Sequence, residues 1–393
     1  MTWLEIAFWL SLLIVFYTYV GYGLLLTTLV ALKKLLKGGS SRQMPEFLPE
    51  VTLVVPSYNE SDILEAKIHN CLALDYPKDK LRMIFITDGS TDNSPEIIGK
   101  YPRIELLHST ERAGKSAAEN RAIQKVETPF VVFCDANTEL NPEAIRLMVQ
   151  HYADPKVGAV SGEKKVIQQA LDSASGAGEG LYWKYESFLK KKDAELHSLV
   201  GAAGELISFR TSLFEPLEHD TILDDFIATL RIAAQGYKVA YEPRAFAAET
   251  PSASSEEEMK RKIRICAGGW QSMSRLLFLL NPFRYGVLSF QYISHRVLRW
   301  SLTPLLLLLL LPLNLYLHML SGGIYSLILL AQVFFYLCSF MGWQLESRKI
   351  RLKALFIPFY FSMMQVAVFA GFFRFIKGSQ QASWEKVRRA TSA

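Results

Sequence analysis

The sequence predicts an α/β domain built on a mostly parallel sheet and carried between apolar helices long enough to cross a membrane. Three observations lead there. Three five-residue apolar runs, 51–55, 83–87 and 130–134, each end in a polar cluster. Helical patterns lie between those runs. Both ends of the chain contain long stretches without charge.

The N-terminal end comes first. Residues 6–32 carry no Asp, Glu, Lys or Arg. As a helix this stretch rises about 40 Å, against a hydrocarbon core of ~30 Å. A cleaved signal peptide would have a shorter apolar core behind a basic start. Here Lys33, Lys34, Lys37 and Arg42 follow the run instead. The first unit is therefore a transmembrane helix over 1–35. A Gly-, Ser- and Pro-containing linker over 38–50 joins it to a soluble domain over 45–280.

Runs rich in β-branched and aromatic residues, bounded by turn formers, read as buried strands. Val51–Val55 is the first, and Ile63, Leu64, Ile68, Cys71 and Leu72 then mark a helix over 61–74. After the strand over 83–87, Ser94-Pro95-Glu96 reads as N-cap, first-turn proline and first-turn acid. The strand over 130–134 follows, and Asn141-Pro142-Glu143 repeats the helix start, with a helix to about Tyr152. Further on are a strand over 158–162, a mobile loop over 170–180, a strand over 202–210 and a helix over 226–235 stopped by Gly236. The last strand, 237–241, is closed by Pro243. Alternating strands and helices predict parallel pairing, which places ligands at the carboxyl ends of strands.

Arg284, Gln291, His295 and Arg299 share one helical stripe, so 281–300 is expected to be an interfacial amphipathic helix. Between Arg299 and Glu346 there are 46 residues without formal charge. They rise about 69 Å as helix, enough for two crossings, with Ser321-Gly322-Gly323 as the hairpin. Ala354–Phe373 adds one more, giving three C-terminal transmembrane helices over 301–376 and a basic tail over 377–393. The positive-inside rule places the N-terminus outside and the middle domain in the cytoplasm. The tail conflicts: four crossings put it outside, yet it holds Lys377, Lys386, Arg388 and Arg389. Either the last apolar segment stops short, broken at Pro358, or the tail violates the rule.

Net charge is +5 over 393 residues, mostly from membrane-flanking Lys and Arg. No basic patch interleaved with aromatics marks a nucleic-acid surface. The cysteines, 71, 134, 266 and 338, are too scattered for metal-ligand spacing and read as reduced, buried small hydrophobes.

The polar strand ends carry the chemistry. Ser57, Tyr58 and Glu60 follow the first run, Asp88 the second, and Asp135 and Asn137 the third. Asp135-x-Asn137 points two oxygen-bearing side chains to one side, as needed to hold a hard divalent cation against a diphosphate. Alone, the pair reads more readily as a turn than as a site. Three such ends at one sheet edge form a cleft.

Pro56-x-Tyr58-Asn59-Glu60, Asp88-Gly89-Ser90-Thr91-Asp92, Arg112-x-Gly114-Lys115 and Asp135-Ala136-Asn137 together resemble glycosyltransferase family 2. The similarity continues to about Gln271 and is strongest to the membrane-embedded branch of cellulose, chitin, hyaluronan and poly-N-acetylglucosamine synthases. It implies a GT-A fold, a nucleotide-sugar donor (most often a uridine one), and an integral protein of a bacterial inner or plasma membrane. Ser57, Tyr58, Glu60 and Asp88 are then on the nucleoside side, and Lys115 approaches the diphosphate. Asp135 and Asn137 hold Mg²⁺ or Mn²⁺. Asn137 stands where many relatives have a second Asp.

Leu223-Asp224-Asp225-Phe226 is similar to the family's Glu-Asp segment, with Asp225 as general base. Gly204, Glu205, Asp224 and Trp270 fall on the acceptor side. Where processive synthases carry Gln-x-x-Arg-Trp, this chain has Arg261, Arg264 and Ile265. Arg264 is retained for the diphosphate, and Trp270 is the candidate substitute for the missing stacking platform. The resemblance implies an inverting transferase acting on a glycan or lipid-linked acceptor in polysaccharide or glycolipid synthesis. Two other readings stay open: single-sugar transfer to a membrane lipid such as ceramide or polyprenyl phosphate, and a non-catalytic nucleotide-sugar-binding subunit. Oligomeric state is not legible.

Overall fold

The computed structural model describes residues 2–37, 46–166, 174–250, 254–348 and 352–380. The linker over 38–45, the first part of the loop expected over 170–180, Lys349, Arg351 and the tail beyond Gln380 lie outside them.

The sheet has eight strands: β1 (Val51–Ser57), β2 (Leu81–Asp88), β3 (Glu105–Ser109), β4 (Phe130–Cys134), β5 (Glu139–Leu140), β6 (Val157–Val166), β7 (Leu206–Arg210) and β8 (Lys238–Glu249). Their spatial order is β3-β2-β1-β4-β7-β6-β8-β5. β1 to β4 are mutually parallel, with Val54 opposite Ile84 on one side and Phe133 on the other. β7 runs antiparallel to β4 and β6, and β8 parallel to β6. All seven residues of β1 are buried. Leu53 and Val55 pack with Leu64 and Ile68 on one face, while Val54 packs with Ile86 and Phe133 on the other. A strand covered on both faces must be apolar throughout, which is why these runs do not alternate.

The helices of the first half of the chain are α1 (Trp3–Phe16), α2 (Tyr22–Lys37), α3 (Leu64–Leu72), α4 (Ser94–Gly99), α5 (Lys115–Ile123) and α6 (Ala144–Val149). Then come α7 (Ala174–Leu196), α8 (Asp224–Ala234) and α9 (Ser255–Arg275). Several expectations need correcting. β3 escaped notice because Glu105–Ser109 is a partly exposed edge strand without a continuous apolar run. Asn93, not Ser94, is the N-cap of α4. Asn141 does not cap α6, because its side-chain oxygen accepts from the Phe246 N–H at 2.8 Å and so ties β8 in place. From Ala174 the loop expected over 170–180 is helix. β7 begins only at Leu206. β8 runs through Pro243, because its pairing with β6 shifts between Ser161–Tyr241 and Glu163–Phe246 and leaves the proline unpaired.

Four helices among the described residues are long and apolar enough to cross a membrane: Trp3–Leu36, Leu302–Ser321, Ile324–Ser347 and Ala354–Ile376. The first is interrupted by a π-turn at Tyr17–Gly21. Before that turn Phe8 packs on Leu310, Leu317 and Tyr325. After it Tyr22 and Leu26 pack on Leu189 of α7. Half of this long helix therefore stands among apolar helices and half against the domain.

The segment over 282–300 is broken into α10 (Pro282–Tyr285), α11 (Val287–Tyr292), a π-turn at Ile293–Val297 and α12 (Leu298–Trp300). Arg284 is exposed, but Gln291 and His295 are fully buried against α7. α13 (Leu302–Ser321) and α14 (Ile324–Ser347) are joined at Gly322 and Gly323, with φ of 58° and 57°. Only glycine adopts such a pair of left-handed conformations at low cost. α15 (Lys353–Ile376) continues unbroken past Pro358. It lies along α9: Met259 meets Phe356 and Tyr360, Cys266 meets Ala367 and Val368, and Trp270 meets Phe372 with ring centroids 4.7 Å apart.

Candidate active site

A cleft of about 1410 Å³ opens at the carboxyl ends of β1 and β4 and extends between α7, α8 and α9. Ser57, Glu60, Lys115, Asp135, Asn137, Gly204, Glu205, Asp224, Asp225 and Arg264 all line it. These residues come from six separate stretches of chain, brought together by the sheet order.

Lys115 is the hub. It opens α5 directly after Gly114, whose φ is 94°. Its Nζ lies 2.9 Å from Asp135 Oδ1, 3.3 Å from Asp224 Oδ2 and 3.8 Å from Glu119 Oε1. It also donates to the Gly204 carbonyl at 3.2 Å. Burial works against the ammonium charge, but Asp135, Asp224 and Glu119 outweigh it and hold the Lys115 pKa well above its ordinary value. Burial raises Asp135 despite Lys115. Asp225 is raised to about 7, first by burial and then by the neighbouring charge of Asp224. A carboxylate poised near neutrality is suited to accept a proton. Gly204 faces it closely: a Cβ there would stand 3.3 Å from the Asp225 carboxyl carbon.

Glu205 is held differently. Lys164 lies 2.8 Å and Arg261 3.4 Å from its Oε1. Burial opposes ionisation, yet these two cations keep its pKa far below the usual carboxylate range. Arg261 also reaches Glu258 on its own helix, and its pairing with Glu205 ties α9 to the turn before β7.

Three predicted site residues are not on the cleft wall. Asp88 is buried, with 1 % of its surface exposed. Its Oδ2 accepts from the Ala113 and Gly114 N–H groups at 3.0 and 2.6 Å, and its Oδ1 from Arg121 at 2.8 Å. It thus anchors the turn that delivers Lys115, because β2 ends under that turn. Gly89 permits the approach: its φ is 68°, and a Cβ there would come 2.6 Å from the Arg112 backbone N. Tyr58 lies beneath Arg112, whose guanidinium is 3.9 Å from the ring centroid. Trp270 packs on Phe372 instead of facing the cleft. Gly269, one residue earlier, turns toward the wall and admits Trp300, whose ring a Cβ at 269 would meet at 2.7 Å. Trp300 lines the cleft where Trp270 was expected.

Sequence reasoning also missed Glu119, Trp183, Glu186 and Arg296. Glu186, Arg296 and Trp183 line the end of the cleft toward α15, which contributes Met364. Glu186 receives Arg296 and, at 3.0 Å, Arg299, with His295 Nε2 at 3.3 Å. Asp193 holds the other ring nitrogen of His295 at 2.5 Å and accepts from Gln291 and Tyr22. The stripe expected to face lipid headgroups is thus neutralised inside the protein. Burying charge without partners is costly, and α7 supplies the partners. The only signal for this was the acidic pair Glu186 and Asp193, seven residues apart on one helix face.

Among the described residues, no three His, Cys, Asp or Glu side chains converge as a metal site. Asp135 and Asn137 supply one carboxylate and one amide oxygen at the cleft wall, Asp135 with its side chain 31 % exposed. That set fits Mg²⁺ or Mn²⁺, which are held by one or two carboxylates together with substrate phosphates and water.

The family model "Glycosyl transferase family 2" matches residues 52–217. The poly-β-1,6-N-acetyl-D-glucosamine synthase of Staphylococcus aureus (strain MSSA476) is 28 % identical over 241 residues, 59 % of this chain and 57 % of that protein. That of Staphylococcus epidermidis is 24 % identical over 235 residues, 57 % of this chain and 56 % of that protein. The chain therefore spans little more than half the length of the curated relatives it matches. A mannosyltransferase from Pyrobaculum calidifontis, solved with GDP-Man and Mn²⁺, superposes with a TM-score of 0.70 at 21 % identity, covering 96 % of this chain and 99 % of that one. The match includes the apolar helices as well as the sheet. The chain thus matches glycosyl transferase family 2 over residues 52–217, in a domain of GT-A fold set between membrane-capable helices.

Proposed function

We propose that the protein is a membrane-bound inverting glycosyltransferase that moves a sugar from a nucleoside-diphosphate sugar, a uridine nucleotide first among the candidates, to a glycan or lipid-linked acceptor. The observation that carries this reading is the single cleft in which Lys115 and Asp135 stand beside Asp224 and Asp225. Asp225 takes the proton of the acceptor hydroxyl as its oxygen bonds to the anomeric carbon. The bond from that carbon to the diphosphate breaks on the opposite side, so configuration inverts. The Lys115 ammonium stabilises charge on the departing diphosphate. Mg²⁺ or Mn²⁺ bound at Asp135 and Asn137 would neutralise further charge on the same group. Asp88 acts at one remove, by fixing the turn that carries Lys115.

The acceptor end of the cleft supports the choice of acceptor. Its wall includes Met364 of an apolar helix, next to Trp183 and Trp300. The poly-N-acetylglucosamine synthases similar to this chain favour an elongating reaction. The side chains Arg261 and Ile265, with Trp270 turned away, favour a single transfer to a membrane lipid. Incubating the purified full chain with labelled UDP- and GDP-sugars, Mn²⁺ and membrane lipid extract decides. One labelled product of fixed size supports single transfer, a ladder supports elongation, and no transfer from any donor refutes the enzyme.

A further inference from the structure

The end of the cleft toward α15 holds a cation that the transfer reaction does not use. Lys190 lines the cleft and is 3 % exposed. It shares one face of α7 with Trp183 and Glu186, by the helical spacing of the three, and all three line the cleft. The cations around it are matched by acids. Lys164 lies 2.8 Å from Glu205, Lys262 lies 3.3 Å from Glu258, and Arg296 meets Glu186. Among the described residues, no carboxylate oxygen lies within ion-pair distance of Lys190 and no acceptor receives a hydrogen bond from it. Glu163 feels its charge from farther off, but burial raises the Glu163 pKa in spite of it. The Lys190 ammonium instead stands 5.7 Å from the centroid of the Trp183 ring, with the Lys262 ammonium 5.3 Å from the same ring. A cation–π contact returns only part of the hydration that a buried ammonium gives up.

We propose that this end of the cleft is a subsite for an anionic group, a phosphate or a carboxylate, carried by the acceptor, with Lys190 as its counter-ion and Lys262 beside it. An ammonium has three donors and no acceptor. A sugar hydroxyl could take one of those donors but would leave the charge uncompensated, whereas an anion meets both needs at once. Trp183 then serves as the wall that holds the two ammonium groups toward one space. Met364 of the apolar helix α15 lines the same cleft, so the anionic group of a lipid and that of a free glycan can both reach it. The subsite rests on the glycosyltransferase reading, since it names the class of acceptor for that reaction.

The test supplies the purified full chain with labelled donor and three acceptor pools: the neutral and the anionic fractions of a membrane lipid extract, separated by anion exchange, and water-soluble uronic-acid oligosaccharides. Label should enter an anionic pool and not the neutral one. The anionic lipid or the oligosaccharide, whichever is labelled, identifies the source of the charge. A hydrogen bond to a charged group is worth about tenfold to a hundredfold in binding. Lys190→Met should therefore raise the KM for that pool by about such a factor, with kcat changing by less than about threefold. K190R, which keeps the charge, should hold KM within about threefold. K190Q and Lys262→Met repeat the comparison should K190M fail to fold. A second readout needs no transfer: the same anionic pool should raise the thermal midpoint of the unsubstituted protein and leave that of K190M where it was. The subsite is overturned by equal labelling of the neutral pool, by an unchanged KM in K190M, or by a midpoint that the anionic pools do not move. A protein that transfers no sugar, yet shows a midpoint shift that K190M abolishes, overturns the transferase reading and leaves the anion subsite standing.

Discussion

Replacing Asp225 by Asn tests the chemistry most directly. The amide preserves the shape beside Gly204 but cannot accept the acceptor's proton. Positioned general bases contribute about 10²–10⁴ in rate, equivalent to roughly 3–5 kcal/mol of barrier at 1.36 kcal/mol per decade. The D225N protein should therefore lose kcat by a factor in that range and keep its affinity for donor, since Lys115 and Asp135 are untouched. The pH profile gives a second, independent reading. Asp225 is raised to about 7. The reacting form is the ionised one, so activity falls as pH drops through that value. With one titrating group, the ionised fraction at pH 6 is about a tenth of that at pH 8. Initial rates of sugar transfer from pH 5.5 to 8.5, with donor saturating, should thus show an acid limb centred near 7. The residual rate of D225N should lack that limb. Retention of more than about a tenth of kcat by D225N would remove Asp225 from the role of base. So would an acid limb that survives the substitution.

Two further outcomes are expected. Glu186→Gln leaves the buried guanidinium groups of Arg296 and Arg299 without their carboxylate. Breaking such a buried pair costs about 3–5 kcal/mol, to be read as a lower thermal midpoint of the detergent-solubilised protein. An unchanged midpoint would show that the cluster does not support the fold. Burial opposes ionisation of Glu186, but Arg296 and His295 hold its pKa well below the ordinary 4.5. Its stabilisation is accordingly complete above that ordinary value and fades as pH falls through the lower, folded one.

The second outcome concerns the tail. From Phe356 to Phe372 one side of α15 is covered by α9, a helix that carries Lys260, Arg261, Lys262, Arg264 and Arg275. A helix so charged is excluded from hydrocarbon, so α15 should lie along the domain and leave the C-terminus on the domain's side. An impermeant thiol reagent should label Ser379→Cys and Asp79→Cys from the same face of sealed vesicles. Labelling from opposite faces would mean that α15 crosses.

Much of the architecture was legible from local patterns alone. β1, β2 and β4 are covered on both faces, and that leaves continuous apolar runs that stand out in any window. The apolar helices are legible for the same reason, since lipid demands uniformity over about twenty residues. The polar ends of those strands gave Asp135 and Asn137, because strand ends in a parallel sheet meet at one edge, whereas Lys115 was named only through the resemblance carried by Arg112-x-Gly114-Lys115. The edge strand β3 and the helix starting at Ala174 carry no such uniformity, and both went unseen.

What remained hidden depends on which side chains meet across the fold. Asp88 ends its strand as expected, but β2 terminates under the turn to α5, so its carboxylate binds backbone N–H groups and Arg121 instead of facing the cleft. Trp270 and Gly269 are adjacent, and only the packing of α9 between α15 and Trp300 decides which of the two faces the wall. The stripe of Gln291, His295 and Arg299 has the periodicity of a membrane-surface helix, yet the acids of α7 draw it inward. By itself, then, the sequence determined the central buried strands, the apolar helices and the types of chemical group gathered at the strand ends. Tertiary structure alone decided how deeply each carboxylate is buried and which cation or acid stands beside it. The reason is physical: burial and the sign of neighbouring charge are set by residues distant in the chain, and they govern what a carboxyl group can do.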